Sequence, residues 1–151
     1  MGGDFQIERI QAEAQFMGFV LVVRDALLDC AGSLGLFVLL EAFDARDIER
    51  VRELIEAHDG ANALLAGVNC RDLATLQVLP QRLLELAPLL PARALWVAES
   101  GVATAADARQ VVAAGYQLAL VGSALMQAQD PQALAGAVLA AGRAAAEARA
   151  T

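Results

Sequence analysis

Positive charge is scarce in this chain and lysine is absent: all 11 basic residues are arginines, set against 18 acidic residues for a net charge of −7. No arginine-rich run occurs, and binding to nucleic acid needs phosphate neutralisation by clustered basic groups, so no nucleic-acid partner is expected. A small anion held by local donors stays open. Cysteine and histidine are equally sparse. Cys30 and Cys70 form no CxxC pair, and with the single His58 they cannot supply the clustered ligands of a typical zinc site. No metal or cofactor is expected, and both thiols read as reduced and structural. The longest apolar runs fall short of the roughly 20 residues that span a bilayer. Asp4, Glu8 and Arg9 interrupt the opening segment where a secretory signal needs an apolar stretch. The expectation is a cytoplasmic protein with no membrane partner.

What is abundant is aliphatic. Hydrophobic residues make up 58% of the 151 and aromatics only 5%, which suits one domain over residues 1–151 with a well-buried core. Five near-continuous runs, Phe19–Val23, Leu36–Leu40, Leu64–Val68, Leu95–Ala98 and Leu118–Val121, have the pattern of parallel strands covered on both faces. Helical segments lie between them. Asp44 with Asp47, and Thr104 with Asp107, approximate capping boxes for helices over Ala45–Ala57 and Ala105–Ala114. Leu79-Pro80 opens a short helix to about Leu86. Asp130 followed by Pro131 starts a long final helix with Leu134, Val138 and Leu139 on one face, and Gly35, Gly60 and Gly115 mark helix ends. The spacing of Phe5, Ile7, Ile10, Ala14 and Met17 predicts a helix before the first strand. The fold class is α/β: a partial TIM (β/α)8 barrel of about five parallel units. A complete barrel takes about 250 residues, so about three units are wanting.

In such folds chemistry sits where strands give way to loops. Glu41 follows the second run, Asn69 and Arg71 the third, Glu99-Ser100-Gly101 the fourth and Gly122-Ser123 the fifth. A carboxylate at the mouth of an apolar sheet can be desolvated into a general acid or base, which is the reading for Glu41 against a plain helix-start charge. Asn69 offers donor and acceptor, and Arg71 a planar fork for carboxylate or phosphate. Gly101 with Gly122-Ser123, on adjacent strands, forms a phosphate-binding candidate, where a lone Gly-Ser would be an ordinary turn. Cys70 lies in the cluster without a histidine in sequence reach and reads as a packing residue.

Four phrases, Leu40-Glu41-Ala42-Phe43-Asp44, Gly67-Val68-Asn69-Cys70-Arg71-Asp72-Leu73, Val97-Ala98-Glu99-Ser100-Gly101-Val102 and Leu120-Val121-Gly122-Ser123-Ala124-Leu125-Met126, resemble the successive strand-end motifs of the indole-3-glycerol phosphate synthase family. The resemblance runs from the end of that family's third strand to its final helix. It implies a carboxy-lyase of tryptophan biosynthesis that closes an indole ring from a carboxyphenylamino-deoxyribulose phosphate, with loss of carbon dioxide and water. It further implies Glu41 as general base, Asn69, Arg71 and Glu99 on the substrate's polar groups, and Ser100, Gly101, Gly122 and Ser123 lining the ring and phosphate subsites. The chain departs from the family at Gly3-Asp4-Phe5, where a Lys-Asp-Phe motif would carry the general-acid lysine. The Glu and Lys of the family's first strand have no counterpart, and the segment between Val23 and Leu36 is shorter than the family's fourth helix with its connections. The expectation is a chain incompetent by itself, with self-association or a partner chain covering the open barrel. The alternative is a non-catalytic half-barrel that binds a phospho-ligand or pairs with a partner.

Overall fold

A computed structural model describes residues 26–57 and 64–150. The expected helix over Phe5–Met17, the expected strand Phe19–Val23, and Gly3, His58 and Gly60 lie outside the described residues. The chain divides into two compact units, one of Met1–Val38 with Gly60–Ala63 and one of Leu39–Asp59 with Leu64–Thr151. In the first, residues 26–33 form a helix, α1, so the short connection after Val23 still holds a helix. Gly35, at φ +67°, ends it: the Leu36 N–H reaches back to the Ala31 carbonyl at 2.9 Å.

Four parallel strands run in sequential order: β1 (Val38–Ala42), β2 (Leu64–Asn69), β3 (Trp96–Glu99) and β4 (Leu118–Leu120). Helices alternate with them: α2 (Ala45–Ala57), α3 (Gln81–Leu86), α4 (Ala105–Ala114), α5 (Ser123–Gln127) and α6 (Pro131–Ala150). This is the strand–helix rhythm of a (β/α) barrel, and the strands fall within two residues of the apolar runs that predicted them. The largest shift is in β1, which continues through Glu41 to Ala42.

Helix starts follow the side-chain signals. Thr104 and Asp107 make a full capping box, with Asp107 N–H on Thr104 Oγ1 at 3.2 Å and Thr104 N–H on Asp107 Oδ2 at 2.8 Å. Asp44 Oδ1 accepts from Asp47 N–H at 2.9 Å, and Asp130 Oδ1 from Ala133 N–H at 2.8 Å. Gly115, at φ +124°, closes α4.

The core lies between the sheet and its helices. Ala66 and Val68 of β2 and Trp96 and Ala98 of β3 point outward into it, with Ile48, Val51, Leu83, Val111 and Tyr116 packed around them. Gln117 locks the base of β3: its Oε1 accepts from Trp96 N–H at 2.8 Å, and its own N–H donates to the Trp96 carbonyl at 3.1 Å. The buried Tyr116 hydroxyl donates to the Leu83 carbonyl at 2.9 Å. On α6, Val138 packs against the core and Ala141 is buried, whereas Leu139 is 53% exposed. Leu139 thus stays more open to solvent than its neighbour Val138, although both border the same cavity beside α4 and β4.

Removing the Thr104 cap should cost about 1 kcal/mol. Urea unfolding of Thr104→Ala, followed by the fluorescence of the buried Trp96, checks this; an unchanged midpoint would show that the capping box carries no stability.

Candidate active site

Alternate residues of a strand share a face. The pairing of β2 with β3 sets Gly67 beside Val97 and Asn69 beside Glu99, and β4 continues it with Leu118 beside Val97 and Leu120 beside Glu99. Gly67, Asn69, Val97, Glu99, Leu118 and Leu120 thus lie on the inner face, opposite the helical layer. Glu41 joins them through Asn69, whose Nδ2 donates to Glu41 Oε2 at 3.2 Å. Asn69 has no freedom to turn its amide over, since its Oδ1 accepts from the Arg71 N–H at 2.9 Å.

Three of the residues singled out from the sequence, Glu41, Asn69 and Glu99, therefore meet at the C-terminal ends of adjacent strands. The desolvated carboxylate, however, is Glu99 and not Glu41. Glu41 stands exposed at the end of β1, whereas Glu99 is only 2% exposed. Burial, then the neighbouring charge of Glu41 and a hydrogen bond with it, pushes the Glu99 carboxyl up to about 7. Glu99 Oε1 is the one buried side-chain oxygen without a hydrogen-bond partner among the described residues. Leaving such an acceptor unpaired costs about 1–3 kcal/mol, and a donor group on a ligand would remove that cost. The pair thus offers an exposed carboxylate and, near neutral pH, a half-protonated one.

The other expected site residues have different surroundings. Arg71 closes its own loop, its Nη1 donating to the Leu76 carbonyl at 2.9 Å, within a turn pinned by Asp72 and by the antiparallel bridge between Arg71 and Val78. Ser100 adopts φ +71°, a left-handed conformation that costs a non-glycine residue about 1–3 kcal/mol. Gly101 packs tightly, for a Cβ there would lie 2.7 Å from Cys70 Sγ and 2.8 Å from Leu83 Cδ1. Gly122 and Ser123 are exposed where α5 begins. Cys70 is fully buried, as a packing residue should be, and burial pushes its thiol up. Cys30 is exposed, contrary to the structural role expected of it. Gly67, which the sequence reading left without a role, lies directly beneath the Glu99 carboxyl. Its place two residues before Asn69 in the strand period was the available signal.

Fold and site together define an α/β-barrel-type protein with a carboxylate–amide–carboxylate cluster at the C-terminal edge of its sheet. The family model for indole-3-glycerol phosphate synthase matches residues 8–138, and the chain belongs to that family. Indole-3-glycerol phosphate synthases of Variovorax paradoxus and Opitutus terrae are 38% and 36% identical to it, over 85% and 87% of this chain and 50% and 51% of their own. The synthase of Methanothermobacter marburgensis is 35% identical over 91% of this chain and 51% of its own. The chain thus spans about half the length of these relatives. Among solved structures, one described as native KDPGal superposes with a TM-score of 0.54 at 25% identity, over 78% of this chain and 53% of that one. The Amycolatopsis orientalis BexX/CysO complex gives 0.54 at 20% identity over 80% and 48%, a likeness of fold alone.

Because the Glu99 value in the fold exceeds the ordinary 4.5, the neutral acid is the form the fold favours. That contribution is fully present below pH 4.5 and is lost as the pH rises through about 7, a swing on the order of 3 kcal/mol. Urea unfolding at pH 5 and pH 8 should show the loss in the parent chain and a much smaller one in Glu99→Gln. Equal losses in both would mean that Glu99 titrates normally.

Proposed function

We propose that this chain carries the base, substrate-orienting and phosphate-binding part of an indole-3-glycerol phosphate synthase site. The proposed substrate is a carboxyphenylamino-deoxyribulose phosphate, closed to an indole with loss of carbon dioxide and water. The observation that carries this reading is the meeting of Glu41, Asn69 and Glu99 at adjacent strand ends. Glu41, exposed at the mouth, serves as general base. Asn69 and Glu99 hold the substrate's polar groups, and Ser100 turns the chain beside them. Arg71 takes an anionic group once its guanidinium leaves the Leu76 carbonyl. Gly101, Gly122 and Ser123 follow β3 and β4 at the same end of the sheet and form the phosphate side.

A general acid contributes about 10²–10⁴-fold to such a reaction, and by the family resemblance that acid is a lysine, which this chain lacks. The purified chain given the carboxyphenylamino-deoxyribulose phosphate should form no indole-glycerol phosphate. Adding the half of a relative that this chain does not cover, carried on through its Lys-Asp-Phe motif, should restore turnover, which Glu41→Gln should then abolish. Turnover by the chain alone near that of a complete synthase would overturn the reading.

A second observation favours a half-barrel that pairs with a partner. Leu118 and Leu120 of β4 are 44% and 58% exposed on the inner face. The strand β4, Leu118 and Leu120 included, also borders an apolar cavity of about 930 Å³ that it forms with Val111 of α4, Leu125 of α5 and Val138 and Leu139 of α6. Unpaired strand edges and large apolar surfaces promote association. Sedimentation should show the chain self-associated, and Leu120→Lys shifted toward monomer; a parent chain that is a clean monomer counts against this reading.

A further inference from the structure

Glycine inside a strand is a departure that needs a reason, since it weakens the strand and packs nothing. Gly67 lies in the middle of β2, flanked by the buried Ala66 and Val68. Its backbone does not require glycine, for the glycines with positive φ among the described residues are Gly35 and Gly115. The reason is steric. A Cβ at position 67 would overlap Glu99 Oε1, lie 2.9 Å from Glu99 Cδ and 3.2 Å from Leu39 Cδ1. The Leu39 methyl is the end of a flexible side chain and can move aside. The Glu99 carboxyl can keep its buried place only while position 67 is bare, because it occupies the space that the Cβ would fill.

The register shows how the carboxyl comes to be there. Glu99 pairs with Asn69, so its Cα is level with the amide, while Gly67 lies one pleat further back, paired with Val97. Instead of projecting past Asn69 into the mouth, the Glu99 side chain folds back along the inner face and ends over Gly67. We propose that Gly67 is a positioning residue for the site: the missing side chain opens the recess that receives the Glu99 carboxyl and holds it beside Glu41. Its significance for catalysis rests on the proposed synthase site, but the steric coupling between positions 67 and 99 does not.

The test uses the whole chain and needs no turnover, so its outcome is separate from that of the ring-closure assay. Carboxyl-carbon NMR titration should find Glu99 near 7 in the parent chain and back in the ordinary carboxylate range in Gly67→Ala, where the added methyl drives the carboxyl into solvent. A methyl that only loosened the strand would leave that titration in place. In parallel, Gly67→Ala should lower the urea midpoint of the parent chain but not that of Glu99→Ala, in which the recess is empty. If Gly67→Ala does not fold, the double variant Gly67→Ala/Glu99→Ala should still fold as well as Glu99→Ala. An unchanged Glu99 titration in Gly67→Ala, an equal loss of stability in both backgrounds, or a double variant that fails where Glu99→Ala folds would each overturn the proposal.

Discussion

The meeting of Asn69 with Glu99 at the mouth depends on the register between β2 and β3. With Asn69 level with Glu99, the Cys70 N–H meets the Glu99 carbonyl at 3.2 Å and the Ala66 N–H meets the Leu95 carbonyl at 3.1 Å. A slip of one residue would turn every side chain of a strand to the opposite face. Glu99 would then enter the layer held by Trp96 and Ala98, and Trp96 would emerge on the inner face. The register is protected from both sides: Trp96 and Val68 are packed in the outer core, and Gln117 grips both backbone polar groups of Trp96. Apolar packing on one face thus fixes where the carboxylates stand on the other.

The two carboxylates illustrate how environment separates like groups. Glu41 ends β1 in the open and is tied to Asn69, while Glu99 is sealed beneath the mouth with one oxygen unpaired. The site carries a second cost at Ser100, whose left-handed backbone immediately follows Glu99. Unpaired buried oxygens and strained backbone are disfavoured wherever folding alone matters, and they gather where a ligand supplies the missing partner. Both lie here within two consecutive residues.

The sheet has four described strands, and the chain matches about half the length of its relatives. A barrel interior is ordinarily filled by side chains from strands all the way round. Here Val97 is buried on the inner face, but Leu118 and Leu120 of the edge strand are exposed. The part of the site that these strands carry is well formed at its centre and open at its margin.

Much of this was legible in the chain itself. The aliphatic runs marked the strands because a strand covered on both faces must be apolar throughout. Thr104, Asp44 and Asp130 marked helix starts because capping is a local hydrogen bond between near neighbours. Residues directly after strands were recognisable as site candidates for the same reason, and Glu41, Asn69 and Glu99 do converge. Other features depended on contacts between distant segments. The sequence pointed to Glu41 as the desolvated acid, but burial is decided by what packs on top, and that fell to Glu99. Arg71 looked free to bind an anion until its loop folded back and offered the Leu76 carbonyl. Gly101 looked like part of a phosphate turn, yet it also fills the narrow space between Cys70 and Leu83. Local order and the residue types at each strand end were determined by sequence, since near neighbours set them. Which carboxylate is buried, and why position 67 must be bare, were decided only by tertiary structure, because both depend on strand register bringing residues some thirty positions apart into contact.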